Sequence, residues 1–160
     1  MSISLLMKAL VVYDSVFGNT EKIAQKIGES IDARVVKVTE TGSSDLVDLD
    51  YLIVGSPTRA FNPTKDVTSF LNSLAPNSLK GVKIAAFDTR VSIEDVNNAV
   101  LTFMAKIFGF ADKPIEKKLE KKGGEKAQPG AGFIVLGNEG PLKEGELERA
   151  TEWAKHIVNP

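Results

Sequence analysis

Apolar residues fall along this chain in two alternating rhythms. Five short runs are nearly continuous: Ala9-Leu10-Val11-Val12-Tyr13, Val35-Val36-Lys37-Val38, Tyr51-Leu52-Ile53-Val54, Ile84-Ala85-Ala86-Phe87 and Phe133-Ile134-Val135-Leu136. Each is rich in β-branched or aromatic residues and bounded by Gly, Pro, Ser or Asp, which predicts strands. Runs without a polar face belong to strands covered on both sides, as in a parallel sheet. Lys37 interrupts the second run and predicts an edge position for it.

Between the runs the apolar spacing lengthens to about 3.6 residues, the period of a helix. Ile23, Ala24, Ile27 and Ile31 form one stripe. Val67, Phe70, Leu71 and Leu74 form a second, opened by Asn62-Pro63 as an N-cap followed by proline at the first helical position. Val96, Val100, Phe103 and Ile107 give a third, extended or followed by a piece carrying Ile115 and Leu119. Leu147, Ala150, Ala154 and Ile157 give the last. The crossover from 39 to 50 has room only for a short helix after Ser43-Ser44. The resulting β-α-β-α-β-α-β-α-β order predicts an α/β domain with a parallel sheet and right-handed crossovers.

Composition narrows the chemistry. The 160 residues suit one domain, taken as 7–160, with 1–6 as an N-terminal extension or an upstream start. That opening stretch is too short for a signal peptide, and no run approaches a membrane span, so the expected location is cytoplasmic with no membrane partner. Without cysteine there is no disulfide, thiolate metal site or cysteine nucleophile, and one histidine builds no multi-histidine cage. Twenty basic against twenty-one acidic residues leave a net charge of −1, so no global field recruits nucleic acid. Chemistry must then come from a bound cofactor, backbone amides, hydroxyls, carboxylates or arginines. The stretch 112–126, with six lysines and four acids, reads as a solvated helix end and loop.

In an open parallel sheet, ligands bind beyond the carboxyl ends of the strands, which points to the loops 14–20, 55–62 and 88–94. Asp14-Ser15-Val16-Phe17-Gly18-Asn19-Thr20 runs straight into a helix. Gly18 permits a tight turn, Ser15, Asn19 and Thr20 offer polar side chains, and the helix start adds unpaired N–H groups and a positive dipole end. Together they suit an anion pocket that needs no lysine or arginine. The simpler reading is an N-cap, although one cap needs one such residue and no capping-box glutamate is present. The Gly-Lys-Ser/Thr of a Walker loop and a Gly-x-Gly-x-x-Gly after the first strand are both missing, and Gly130-Ala131-Gly132, which precedes a strand, reads as a turn.

The segment Tyr13–Ala24 resembles the phosphate loop of the flavodoxin family, in which Ser/Thr-x-x-Gly-x-Thr segments hold the phosphate of FMN. Gly55-Ser56-Pro57-Thr58 is similar to the second loop of that family, and Ala86-Phe87-Asp88-Thr89-Arg90 to the third loop of a subset. The resemblance implies a three-layer α/β/α sandwich with strand order 2-1-3-4-5 and FMN as cofactor. It places Ser15, Val16, Phe17, Gly18, Asn19 and Thr20 at the phosphate. It sets Pro57, Thr58, Arg59, Ala60, Phe61 and Asn62, with Phe87, Asp88, Thr89 and Arg90, beside ribityl and isoalloxazine. Many family members carry an aromatic after the Pro-Thr of the second loop and a tyrosine in the third; here Arg59 takes the first place and 88–91 hold no aromatic. Phe61 then either stacks on the flavin or packs on its own helix.

What the resemblance implies for function is an FMN-binding electron-transfer protein working between redox protein partners, a reductase and an acceptor. Two other readings stay open: a small FMN-dependent reductase of quinones or similar acceptors, and a non-flavin signalling or scaffold module of the same architecture. A phospho-receiver is disfavoured, because the paired acids at the end of the first strand are missing. The remaining single residues read structurally: His156 at the surface, Trp153 packing at the sheet edge, Asp14 binding the first loop, and Asn138-Glu139-Gly140-Pro141 as a turn into the last helix that borders the third loop.

Overall fold

A computed structural model describes residues 7–92 and 98–160. Among the described residues, six parallel strands form one sheet: β1 (Ala9–Tyr13), β2 (Arg34–Lys37), β3 (Tyr51–Pro57), β4 (Lys83–Val91), β5 (Glu125–Lys126) and β6 (Ala131–Val135). Five α-helices among those residues connect or flank them: α1 (Asn19–Ile31), α2 (Lys65–Ser73), α3 (Ala99–Phe108), α4 (Asp112–Lys121) and α5 (Glu146–Val158). The sheet order is β2-β1-β3-β4, and beyond β4 the fifth place is shared. β5 pairs with Lys83 and Ile84, β6 with Phe87 through Val91. The expected fifth strand is thus interrupted, with Pro129 in the break, where it needs to donate no ladder hydrogen bond.

Strand alternation sorts the apolar runs onto two faces. Leu10, Val12, Leu52, Val54, Ile84 and Ala86 meet Val67, Leu71, Ile115 and Leu119 of α2 and α4. Val11, Ile53, Ala85 and Phe87 meet Ile23, Ile27, Ala154 and Ile157 of α1 and α5. On that second face Phe87, Phe133 and Trp153 stand edge to face, with ring centroids 6.1–6.2 Å apart, and each such pair adds about 0.5–1.5 kcal/mol beyond area burial. Trp153 donates its indole N–H to the Pro129 carbonyl at 2.9 Å, the structural role expected of it. Gly55 is required here, because a Cβ at that position would fall 2.0 Å from the Phe87 ring.

Several sequence expectations shift. The N-cap of α2 is Thr64, not Asn62: the Thr64 hydroxyl accepts from the Val67 N–H, while Asn62 is held in a turn with Arg59. α4 is a separate helix, and its Asp112 and Glu116 are buried among hydrogen bonds, so the 112–126 stretch is solvated only in part. Ala131 and Gly132 belong to β6 and not to a turn before it. The third apolar stripe does not face the core: Val100, Phe103 and Ile107 are about 60–66% exposed, and Ala105 is the buried residue of α3. Val96, the first residue expected in that stripe, and residues 1–6 lie outside the described residues.

The outer edge of the sheet is capped by α5. Glu146 accepts the Ile134 N–H at 2.6 Å, Arg149 donates to the Gly132 carbonyl, and the Lys143 N–H donates to the Ile134 carbonyl at 2.8 Å. Burial raises the Glu146 carboxyl pKa, but hydrogen bonds from Arg149 and Ile134 outweigh it and hold the group below its ordinary value. At the opposite edge, four-residue β2 begins and ends on exposed Arg34 and Lys37.

Candidate functional site

The carboxyl ends of β1, β3 and β4 lead into the three segments the sequence singled out. At the first, Gly18 has φ +92°, a conformation that glycine adopts without strain, and caps α1 with no side chain of its own. Ser15 draws the loop inward, its Oγ accepting from the N–H groups of Gly18 (3.1 Å) and Glu21 (3.3 Å). Asp14 is buried and fixes both ends: it accepts from the Ser15 N–H at 2.9 Å and from the Thr64 hydroxyl at 2.6 Å. Among the described residues, the N–H groups of Val16, Phe17, Asn19 and Thr20 have no hydrogen-bond acceptor. Four free donors at a thirteen-residue helix start form an anion cradle in both geometry and dipole sign. The donor set fits a phosphate, and therefore the phosphate end of FMN.

The second segment turns sharply. Arg59 and Asn62 exchange both backbone hydrogen bonds, at 2.8 and 2.9 Å, around Ala60 (φ +47°) and Phe61 (φ +69°). Two successive non-glycine residues in the left-handed region store strain, on the order of 1–2 kcal/mol each. The turn presents Arg59 outward, its guanidinium 5.8 Å from the centre of the half-exposed Phe17 ring, and sets Phe61 5.9 Å from Phe108 of α3. Phe61 therefore packs on a later helix. Thr58 ties this segment to its neighbours, donating its N–H to the Thr89 carbonyl and accepting the Ala111 N–H on its hydroxyl.

The third group lies within β4 itself, so its side chains alternate. Phe87 is wholly buried in the core and Thr89 faces α1, where its hydroxyl meets that of Thr20 at 2.7 Å. Asp88 and Arg90 face α4. Arg90 grips Asp88 with Nε and Nη2 at 2.7 and 2.6 Å, reaches Asp112 at 3.3 Å, and sits 3.8 Å over the Phe110 ring. Burial lifts the Asp88 pKa to about 6 against the lowering pull of Arg90.

These segments enclose two adjoining cavities. A polar cleft of about 40 Å³ brings together Val16, Phe17, Asn19, Thr20, Pro57, Thr58, Arg59, Thr89 and Arg90, the contribution expected from all three segments. Asn138, from the turn after β6, joins this cleft, and the neighbouring Glu139 carbonyl accepts from the Asn19 amide at 3.0 Å. An apolar cavity of about 240 Å³ lies on the α3 side. Ala60 and Phe61 line this second space, while Ser15, Gly18, Asn62, Phe87 and Asp88 line neither. Leu101, Ala105 and Phe110 also line the apolar cavity, and the sequence does not single them out, because no local motif marks an apolar wall built from distant segments. His156 is exposed on α5, its Nδ1 2.8 Å from the Glu152 carbonyl oxygen. Among the described residues no group of three or more His, Cys, Asp or Glu could hold a metal, and no helix is long and apolar enough to cross a membrane.

A family model described as a flavodoxin domain matches residues 10–135. A curated relative, an uncharacterized protein of Methanocaldococcus jannaschii, is 34% identical over 73 residues, which cover 40% of this chain and only 19% of that protein. Among solved structures, oxidised flavodoxin 1 of Bacillus cereus superposes with a TM-score of 0.74 at 20% identity, over 95% of this chain and 97% of that one. Flavodoxin 2 of the same organism gives 0.73 at 25% identity, over 95% and 98%. A rubredoxin oxygen:oxidoreductase of Desulfovibrio gigas gives 0.70 at 20% identity; 95% of this chain matches 35% of that one.

Proposed function

Because this chain belongs to the flavodoxin domain family, we propose that it binds FMN non-covalently across the ends of β1, β3 and β4 and passes electrons between redox protein partners. The observation that carries the reading is the set of acceptor-free N–H groups at Val16, Phe17, Asn19 and Thr20, gathered where α1 begins. Those donors bind the phosphate. The Asn19 amide, tied to Glu139, holds the loop closed behind it. Thr58, Arg59 and Thr89 flank the remainder of the cofactor in the polar cleft.

Bound FMN supplies the redox chemistry. The protein binds the cofactor, orients it and sets its electrostatics. Exposed Val16 and Phe17 rim the cleft with apolar surface, which suits contact with a protein partner.

Titration of the cofactor-free protein with FMN and riboflavin tests the reading. Tight FMN binding with much weaker riboflavin binding is expected; equal affinities would remove the phosphate cradle. Reduction of the bound flavin only through a reductase partner marks a carrier. Direct turnover of NAD(P)H with a quinone by the isolated protein would mark an enzyme instead.

A further inference from the structure

We infer that the outward face of α3 is where this chain joins a second copy of itself, α3 packing on α3 across a two-fold axis. In the whole of α3 only Thr102 and Lys106 are polar. A helix that is apolar all round belongs between two surfaces, and this one has its own protein on one side only. Leu101, Thr102 and Ala105 turn toward the apolar cavity. At about 100° per residue, Val100, Phe103 and Ile107 stand ~140–160° round the helix from Ala105. They are 66, 62 and 60% exposed, so nothing among the described residues covers them. Their i, i+3, i+7 spacing is that of a seam along which one helix packs on another.

Charge selects the occupant. α3 carries one cation, Lys106, and no acid. A partner of another kind is steered and specified by complementary charge, which this face does not offer. A lipid surface takes a helix with a strongly charged face opposite its apolar one; here the opposite face lines the protein's own cavity. Interfaces between identical subunits are the more apolar class, with few charges at their centre. A net charge of −1 also lets two copies approach with little repulsion.

Area supplies the other half of the argument. A whole aromatic side chain offers ~150–250 Å² and an aliphatic one about half of that, so the exposed parts of Val100, Phe103, Ile107 and Phe108 come to roughly 400 Å². A two-fold axis doubles this to about 800 Å², and Ala99, Met104 and the Lys106 stem bring the contact to the ~1,000 Å² at which an interface becomes specific. A contact of that size is reversible, so monomer and dimer coexist. It would also brace α3, whose buried residue is Ala105, as the outer wall of the cavity.

Sedimentation equilibrium of the full chain, FMN-free and FMN-loaded, reads the association. A mass rising toward twice that of the chain between micromolar and submillimolar protein is expected in both forms. Phe103→Glu, which sets a charge at the centre of the seam, should weaken the dimer at least tenfold while circular dichroism shows the fold retained. Isotope-filtered NOE spectra of mixed labelled and unlabelled wild-type chain need no variant: contacts from Phe103 and Ile107 to α3 of the other copy are expected. A monomer at every concentration, a dimer indifferent to Phe103→Glu, or intermolecular contacts lying outside α3 would each overturn the inference. A monomer that binds phosphatidylglycerol vesicles through α3 would give the face to a lipid surface. A monomer whose reduction by a reductase slows in Phe103→Glu would give it to that partner. The inference does not require FMN, and if FMN fails to bind, the FMN-free measurement still decides.

Discussion

Thr20 and Thr89 bring their hydroxyl oxygens within 2.7 Å of each other, joining the first turn of α1 to β4 in a spot almost closed to solvent. Either oxygen can donate to the other, so the pair shares one hydrogen bond. Replacing one alone by valine leaves a buried hydroxyl without its partner, at a loss of about 1–3 kcal/mol. Replacing both should recover most of that. Denaturant unfolding of the two single variants and the double one gives the coupling directly, and strict additivity would mean that the pair contributes nothing.

Thr20 should also act on cofactor affinity. Thr20→Ala is expected to weaken FMN binding by about 0.5–1.5 kcal/mol, or up to ~3 if the hydroxyl turns to the phosphate as a charge-assisted donor. Gly18→Val should do more, because a β-branched residue is strained at φ +92° even though no atom stands within 4 Å of its Cβ. Calorimetric titration with FMN reads both. Wild-type affinity in both variants would place the anion elsewhere.

The Asp88 carboxyl predicts an unusual pH dependence. Its pKa is about 6 in the folded protein against an ordinary 3.8. Between those values the native state binds more protons than the unfolded chain, so this group makes stability fall as pH rises from about 4 to 6, by up to ~3 kcal/mol, and level off above. Glu146 acts in the opposite sense, since its lowered carboxyl loses its contribution on acidification. Stability profiles of wild type and Asp88→Asn isolate the first effect: the difference between them should change across pH 4–6 and be flat above 7. A constant difference would contradict it.

The strained turn offers a stabilising change. Ala60 sits at φ +47°, where glycine avoids most of a penalty of ~1–2 kcal/mol but loses about 0.4–1 kcal/mol through the entropy of the unfolded chain. Ala60→Gly should therefore leave stability equal or raise it by up to about 1 kcal/mol, the reverse of the same change in a helix. Thermal and denaturant unfolding check this; a clear loss would show that the turn relies on its alanine methyl.

Arg59 lines the polar cleft beside the proposed cofactor. A cation there favours added negative charge, so Arg59→Gln should lower the potential of the last reduction step of the bound flavin. Spectroelectrochemistry of both proteins measures it. An unchanged potential combined with weaker partner binding would assign Arg59 to docking instead.

Much of this fold is legible in the sequence. The parallel sheet followed from apolar runs with no polar face, and the edge position of β2 from Lys37. The first loop could be read because its task is local: a glycine, three polar side chains and a helix start lie within six residues. The second and third segments were harder. The sequence sets Arg90 beside the cofactor, but its partners Asp88, Phe110 and Asp112 come from a strand, the loop before α4 and α4 itself, which no short pattern reveals. The stripe of α3 misled for another reason. Periodicity shows that one face is apolar, not that the rest of the chain covers it.

The capped edge of β6 bears on how the protein behaves in concentrated solution. A bare edge invites a neighbouring chain to add a strand and begin a fibril. Here the Gly132 carbonyl and both outward main-chain groups of Ile134 are already taken by Arg149, Glu146 and Lys143, which leaves a passing strand little to pair with. The β2 side offers four residues that begin and end on like charges. Any clumping of the folded protein should therefore proceed through the oily surface of α3, remain amorphous, disperse with mild detergent and leave thioflavin dark.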